Sequence, residues 1–176
     1  ISVLRIWDGG MSFHGGFLGV VAAVIFYCLS NKIDLIQGAD LVAIASPPGL
    51  LFGRLANFIN AELWGRPTDL PWGVIFPGDA AQNCPEVAGL CARHPSQIYE
   101  AGLEGLLLFI ILFILALSGA FRSRGVITSV FLIGYGVSRF FVEYFRVPDP
   151  QFITIENKLG FAIKFGHFGL TMGQLL

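Results

Sequence analysis

The sequence predicts an all-α fold, a polytopic bundle of transmembrane helices carrying a small irregular head on the outer side. Three observations predict it. Of the 176 residues 55% are hydrophobic and 13% charged, where a soluble domain carries about 25% charged residues. The apolar residues gather in five runs separated by short polar turns. Between the second and third run, residues 62–100 hold Pro67, Pro71, Pro77, Gly78, Pro85 and Gly89, too many breakers for a helix. The length suits one domain, residues 1–176, with residues 62–100 inserted as the head. A formal net charge of -1 leaves no basic face to neutralise phosphates in series, which argues against nucleic acid.

Residues 17–29 form the first run, short for a span of roughly 20 residues unless Gly15-Gly16 is included. The second, 41–59, is interrupted by Pro47-Pro48 and carries Ala45, Gly49, Gly53, Asn57 and Ala61, a small-residue stripe suited to close helix approach. Residues 101–117 and 126–145 are the secure spans, and a fifth run starts near Phe168. Lys32, Arg122 and Arg124 make their loops cytoplasmic by the basic-loop rule, which turns residues 62–100 and 147–164 outward.

In the head, Trp72-Gly73-Val74-Ile75-Phe76 suits a short strand. Cys84 and Cys91, with six residues between them on the face expected to be oxidising, are a candidate disulfide, with two free thiols as the alternative. Cys28 lies alone in a helix and suits packing. His94-Pro95-Ser96-Gln97 resembles a helix start with Pro95 at the first helical position and Gln97 bonding back to the entering backbone. On that reading His94 is structural; a functional role is equally open. The chain opens on Ile1 and stops at Leu176 just as an apolar run begins, so it reads as a fragment lacking both ends of a larger protein.

Chemistry concentrates in two places. Arg54 lies inside the second run, where a guanidinium costs roughly 2.5–3.5 kcal/mol unless it faces a polar cavity or a partner. Asn57 follows one turn later, and Glu62, Glu100 and Glu104 are candidate counter-ions. Tyr135, Arg139, Glu143 and Arg146 are spaced four, four and three, which places them on one stripe of a helix. A structural reading has Glu143 neutralise Arg139 or Arg146 at adjacent turns. It leaves unexplained why Tyr135 and Arg139 carry polarity deeper. Two arginines near one leaflet suit a lipid phosphate, because the guanidinium fork stays charged and matches phosphate oxygens. His14, beside Gly15-Gly16, is the natural general base once paired with such a cluster, since its ordinary pKa lies near 6.5. His167 reads as surface. No spacing supports a metal site, and no phosphate-binding glycine loop calls for a cofactor.

Asp8-Gly9-Gly10-Met11-Ser12-Phe13-His14-Gly15-Gly16, residues 53–66, His94-Pro95-Ser96-Gln97-Ile98-Tyr99-Glu100-Ala101 and residues 134–146 resemble the bacterial lipoprotein diacylglyceryl transferase family. The match runs over nearly the whole chain, in the family's order. It implies a seven-helix inner-membrane enzyme with a periplasmic head, of which this chain supplies about five segments. The implied reaction moves the diacylglyceryl group from phosphatidylglycerol to the lipobox cysteine thiol of a prolipoprotein, on the periplasmic leaflet, releasing glycerol phosphate. The implied partners are phosphatidylglycerol, the prolipoprotein signal peptide and the bilayer. The match assigns the lipid phosphate to Arg54. We expect leaving-group charge to fall to Arg139, a hydrogen bond to Tyr135 and the thiol proton to His14; the alternative for His14 is a phosphate contact, with the arginine field alone lowering the thiol pKa. Asn57, Glu62 and Glu143 then orient the arginines, and Arg146 completes the binding set. Ala61 stands where a glycine is common, a mild departure on the small-residue stripe. The rival readings are a transporter of an organic anion and a structural subunit whose arginines are neutralised by carboxylates.

Overall fold

The computed structural model describes residues 13–84, 89–147, 157, 162–165, 168–171 and 174. Its helices are α1 (Phe13–Ser30), α2 (Leu35–Ile59), the one-turn α3 (Asp79–Gln82), α4 (Ser96–Glu100), α5 (Leu108–Leu117) and α6 (Val126–Val142). A π-helical stretch, Ala101–Leu107, joins α4 to α5, so that Ser96–Leu117 runs as one rod. Leu35–Ile59 and Ser96–Leu117 are long and apolar enough to cross a membrane; Gly15–Ser30 and Val126–Val142 are apolar but shorter. Large apolar side chains face outward over most of the helical surface, among them Phe26 and Leu117, each 74% exposed. Hydrocarbon makes that arrangement favourable where water does not. The chain is a helical membrane bundle.

Asp34 starts α2 as its N-cap, accepting from the backbone N–H groups of Ile36 and Gln37. The bond from Gln37 holds the Asp34 carboxyl below the ordinary carboxylate range, with Arg124 at 3.1 Å adding to the effect. Folding therefore gains from this cap above the unfolded carboxylate pKa and loses that gain as pH falls through the folded one. Contrary to the expected interruption, α2 runs through Pro47 and Pro48. The prolines remove two helical N–H donors, and the Ser46 hydroxyl bonds back to Val42 O at 2.7 Å beside them. Apolar surroundings favour keeping every other backbone bond, so the helix persists.

The core lies where α2, α5 and α6 meet: Ala43, Leu108, Leu112 and Ile127 are buried, with Ile44, Leu115, Val130, Phe131 and Tyr135 packed around them. Close approach does not use the expected glycine stripe. A Cβ on Gly49 or Gly53 would meet nothing within 4 Å, whereas one on Gly105 would come within 2.9 Å of the Leu51 Cα and N. The π stretch thus lies directly against the α2 backbone. Cys28 is buried against Gly38 at the α1–α2 turn, as packing.

The head forms no strand at residues 72–76. Isolated bridges pair Val74 and Pro67 with Arg93, and Gly65 with Arg146. What organises it is Arg93, 5% exposed, which donates to the carbonyls of Ala81, Asn83 and Gly65 and lies 5.8 Å from the Trp64 ring centre. Burial draws its pKa down, but the guanidinium stays charged. A disulfide joins Cys84 and Cys91, Cα atoms 6.3 Å apart. Near Phe168 a short antiparallel pair replaces the expected helix start, β1 (Ile163–Phe165) facing β2 (Phe168–Leu170). The aromatic and β-branched residues there suit strands.

Ala61 has φ 56°, and Leu63 φ 55°. The glycine common at position 61 therefore answers a left-handed backbone rather than a stripe. An L side chain in that region costs about 1–2 kcal/mol, partly offset by the lower unfolded-state entropy of alanine. Ala61→Gly is expected to raise unfolding free energy by about 0.5–1 kcal/mol. Denaturant unfolding in detergent reads this directly, and a loss of stability would contradict it.

Candidate functional site

Two helices and the rod converge below the head. Arg54 projects from the last turns of α2, Glu100 from α4, and Arg139, Glu143 and Arg146 from the end of α6 and the turn after it. Glu100, 2% exposed, is the common partner. Its Oε2 pairs with Arg54 Nε, while its Oε1 lies 3.5 Å from Arg139 Nη1 and 3.3 Å from Arg146 Nε. Glu143 closes the group at 3.5 Å from Arg139 Nη2 and 3.6 Å from Arg146 Nη1, and it accepts from Thr171 Oγ1 at 3.0 Å. Three guanidinium groups thus share two carboxylates in ion-pair contact. Each arginine side chain keeps about a fifth of its surface exposed, 20%, 20% and 19% for Arg54, Arg139 and Arg146. The arginine side chains are thus more open than Glu100 and Glu143, whose side chains are 3% and 8% exposed.

The arginines expected to share a ligand do converge, through Glu100. The ion pairs are also those the structural reading expects; beyond them, each arginine side chain keeps some exposed surface. Glu100 appeared in the sequence only as one candidate counter-ion of Arg54. Its place in the first turn of α4, aligned with Arg54, was the available signal; its bonds to α6 had none. Tyr135 stands one turn deeper than Arg139, stacked on Phe131 with ring centres 6.0 Å apart. Asn57 and Glu62 do not orient the arginines: Asn57 Nδ2 reaches Glu62 Oε2 at 3.4 Å, and both face the exposed end of α2. Solvent at that end gives the pair no reason to turn inward. His14 lies in the first turn of α1, with its side chain outside the described residues, as is His167.

The head is fastened to this cluster by backbone. Arg66 N donates to Phe145 O and Arg66 Nε to Arg146 O, 2.9 and 2.7 Å, and Gly65 N donates to His94 O at 2.9 Å. A Cβ on Gly65 would fall within 2.7 Å of the Phe145 and His94 carbonyl oxygens, so only glycine fits. Burial draws the Arg66 pKa down, opposed by the Glu143 charge. Pro95 is the N-cap rather than the first helical residue, and Gln97 donates to Glu62 O instead of the entering backbone. Burial of Gln97 at the joint between head and rod makes the more distant carbonyl the nearer partner.

On the other face of the rod and α6 lies an apolar cavity of about 580 Å³, bordered by Leu103, Leu107, Phe141 and Phe145, with Trp72, His94 and Tyr99 at its rim. Trp72 Nε1 donates to Tyr99 Oη at 2.8 Å, which leaves the tyrosine proton free for His94 Nδ1 at 3.1 Å. Burial pushes the His94 pKa below its ordinary value, so its ring is neutral at neutral pH. Among the described residues no group of three or more His, Cys, Asp or Glu side chains suits a metal ion.

A family model described as prolipoprotein diacylglyceryl transferase matches residues 1–176. A phosphatidylglycerol–prolipoprotein diacylglyceryl transferase of Cereibacter sphaeroides is 61% identical over 177 residues, covering 100% of this chain and 61% of that protein. One from Ruegeria pomeroyi is 62% identical over 175 residues, covering 99% of this chain and 59% of that protein. A third, from Rhodospirillum centenum, is 49% identical over 178 residues, covering 100% of this chain and 58% of that protein. The chain thus spans about three-fifths of the length of these curated relatives. None of these names supports a transporter, and the unbroken α2 removes the broken helix on which that reading leaned. With a family model spanning every residue and relatives this similar end to end, the chain belongs to the prolipoprotein diacylglyceryl transferase family.

Proposed function

We propose that the protein containing this chain transfers the diacylglyceryl group of phosphatidylglycerol to the lipobox cysteine thiol of a prolipoprotein. The observation that carries the reading is the convergence of three partly exposed arginine side chains on buried Glu100. The relatives' names supply the substrates. In the reaction the thiol sulfur attacks the glyceryl carbon, an S–C bond forms, and the C–O bond to phosphate breaks. The electron pair stays on the phosphate oxygen, and glycerol phosphate leaves. Arg54 holds the phosphodiester, and Arg139 and Arg146 meet the charge that gathers on the leaving oxygen. Tyr135 donates a hydrogen bond from below. His14 takes the thiol proton, since an unperturbed thiol is only a few per cent ionised at neutral pH.

The site belongs on the periplasmic leaflet of the inner membrane. The Cys84–Cys91 disulfide supports an oxidising side for the head, and Lys32, Arg122 and Arg124 cluster at the opposite end.

The test uses the full-length protein with phosphatidylglycerol and a lipobox peptide, reading thioether-linked diacylglycerol by mass spectrometry. Arg54→Lys keeps the charge and loses the fork, and is expected to lower transfer at least about a hundredfold. Near-normal transfer would sink the assignment. In the same assay the rate should rise with pH as a base near 6.5 loses its proton, and His14→Gln should remove that limb. An unchanged pH–rate profile in His14→Gln excludes it as the base.

A further inference from the structure

Glu104 lies in the π stretch, one turn along the rod from Glu100, with 0% of its surface exposed. Neither of its carboxyl oxygens has a hydrogen-bond partner among the described residues, and no ion pair within 4 Å reaches it. The charged and titratable groups facing it are Arg54 on α2, Glu100 on its own rod, and Tyr135, Arg139 and Glu143 on or beside α6. The arginines among them are engaged with Glu100 and Glu143. An ionised carboxylate without hydrogen bonds or a contact ion pair is among the costliest groups to bury, and the neutral acid costs far less. Glu100, carrying the same sign one turn away, adds to the cost of the ionised form. The π geometry is what holds the residue there: Gly105 lies on the Leu51 backbone, which presses this part of the rod against α2, and Glu104 is buried beside it. Such π segments are frequent at functional sites.

We infer that Glu104 is held as a neutral carboxylic acid in the resting protein and so sets the charge of the arginine cluster. Within the ion-pair contacts of the described residues, three guanidinium groups then face two ionised carboxylates, one surplus positive charge in that contact group and the complement of a phosphodiester's single negative charge. Ionised, Glu104 would cancel that surplus and the cluster would have no net attraction for a lipid phosphate. Glu104 is therefore a positioning residue acting through the arginines. This rests on the proposed function for its ligand, but not for the protonation state.

The experiment takes the full-length protein in detergent, with phosphatidylglycerol micelles in one arm and free glycerol phosphate in the other. Infrared spectra should contain a protonated-carboxyl absorption that Glu104→Gln removes. In wild type that absorption should vanish as pH is raised, with phosphatidylglycerol affinity falling about tenfold alongside it, the effect of one nearby charge at a partly exposed site. In Glu104→Gln the fall should be absent. The inference is overturned if no acid absorption is lost on substitution, or if Glu104→Gln binds several-fold tighter than wild type at neutral pH. The wild-type titration stands without the variant: affinity that holds while the absorption vanishes also overturns it. Glycerol phosphate, a monoester carrying roughly two negative charges at neutral pH, should show the same fall in affinity with the absorption; if it does not, the effect does not act on the phosphate charge and the charge match falls. If the absorption behaves as expected but phosphatidylglycerol does not bind, the neutral acid stands, and the proposed lipid substrate and charge match fall.

Discussion

Replacing Glu100 by alanine is expected to destabilise the protein by about 3 kcal/mol and to abolish transfer. One substitution removes the partner of Arg54, Arg139 and Arg146 together, and leaves Glu143 to face Arg139 and Arg146 alone. Breaking a buried ion pair by deleting one member costs about 3–5 kcal/mol, because the other charge is left uncompensated. The low end applies because each arginine side chain keeps about a fifth of its surface exposed, 20%, 20% and 19%, and can shift toward water or an anion. Glu100→Gln, which keeps the shape and loses the charge, should fall between wild type and alanine. Thermal unfolding in detergent checks the order, and added glycerol phosphate should restore part of the lost stability by supplying the missing negative charge. A Glu100→Ala protein within about 0.5 kcal/mol of wild type would show that the arginines do not depend on it.

The second large effect is expected at Asp40. Helix α6 begins after Gly125, which has φ 82° and offers no side-chain cap. Its first-turn N–H groups are satisfied from α2 instead. Asp40, 1% exposed, accepts from Gly125 N, Thr128 N and Thr128 Oγ1, each at 2.8 Å. Asp40→Ala leaves two part-buried backbone donors unpaired at once and should cost about 2 kcal/mol. Asp40→Asn can still accept at one oxygen but turns an N–H group toward another donor, so about half the loss should remain. Amide exchange at the start of α6 should rise in both variants ahead of the rest of the bundle. Unchanged exchange there would remove Asp40 as the cap. The consequence for the site is direct, since α6 carries Arg139.

Much of the candidate site was legible because it is helical and local. Tyr135, Arg139, Glu143 and Arg146 share a stripe by period alone, and the Glu143 pairs with Arg139 and Arg146 are i,i+4 and i,i+3 contacts. Arg54 was conspicuous because a charge in an apolar run needs a reason. The errors arose where a local rule competed with packing or with solvent. Pro47 and Pro48 read as a break, yet apolar surroundings hold the helix together. Asn57 and Glu62 read as support for the arginines because they are near Arg54 in sequence, yet they point to the exposed end. Ala61 read as part of a packing stripe, and its significance is a positive φ.

By itself the sequence determined the class of molecule, the apolar helices, the cysteine pair as candidate and the family resemblance. Composition and period act over a few residues, so they survive without coordinates. Only the tertiary structure decided that Glu100 is the shared counter-ion, that Asp40 caps a helix 85 residues away, and that Glu104 is buried without a hydrogen-bond partner among the described residues. Each of these depends on which helix faces which and at what depth. That is settled by close contacts such as Gly105 on Leu51, whose cost or gain no spacing rule contains.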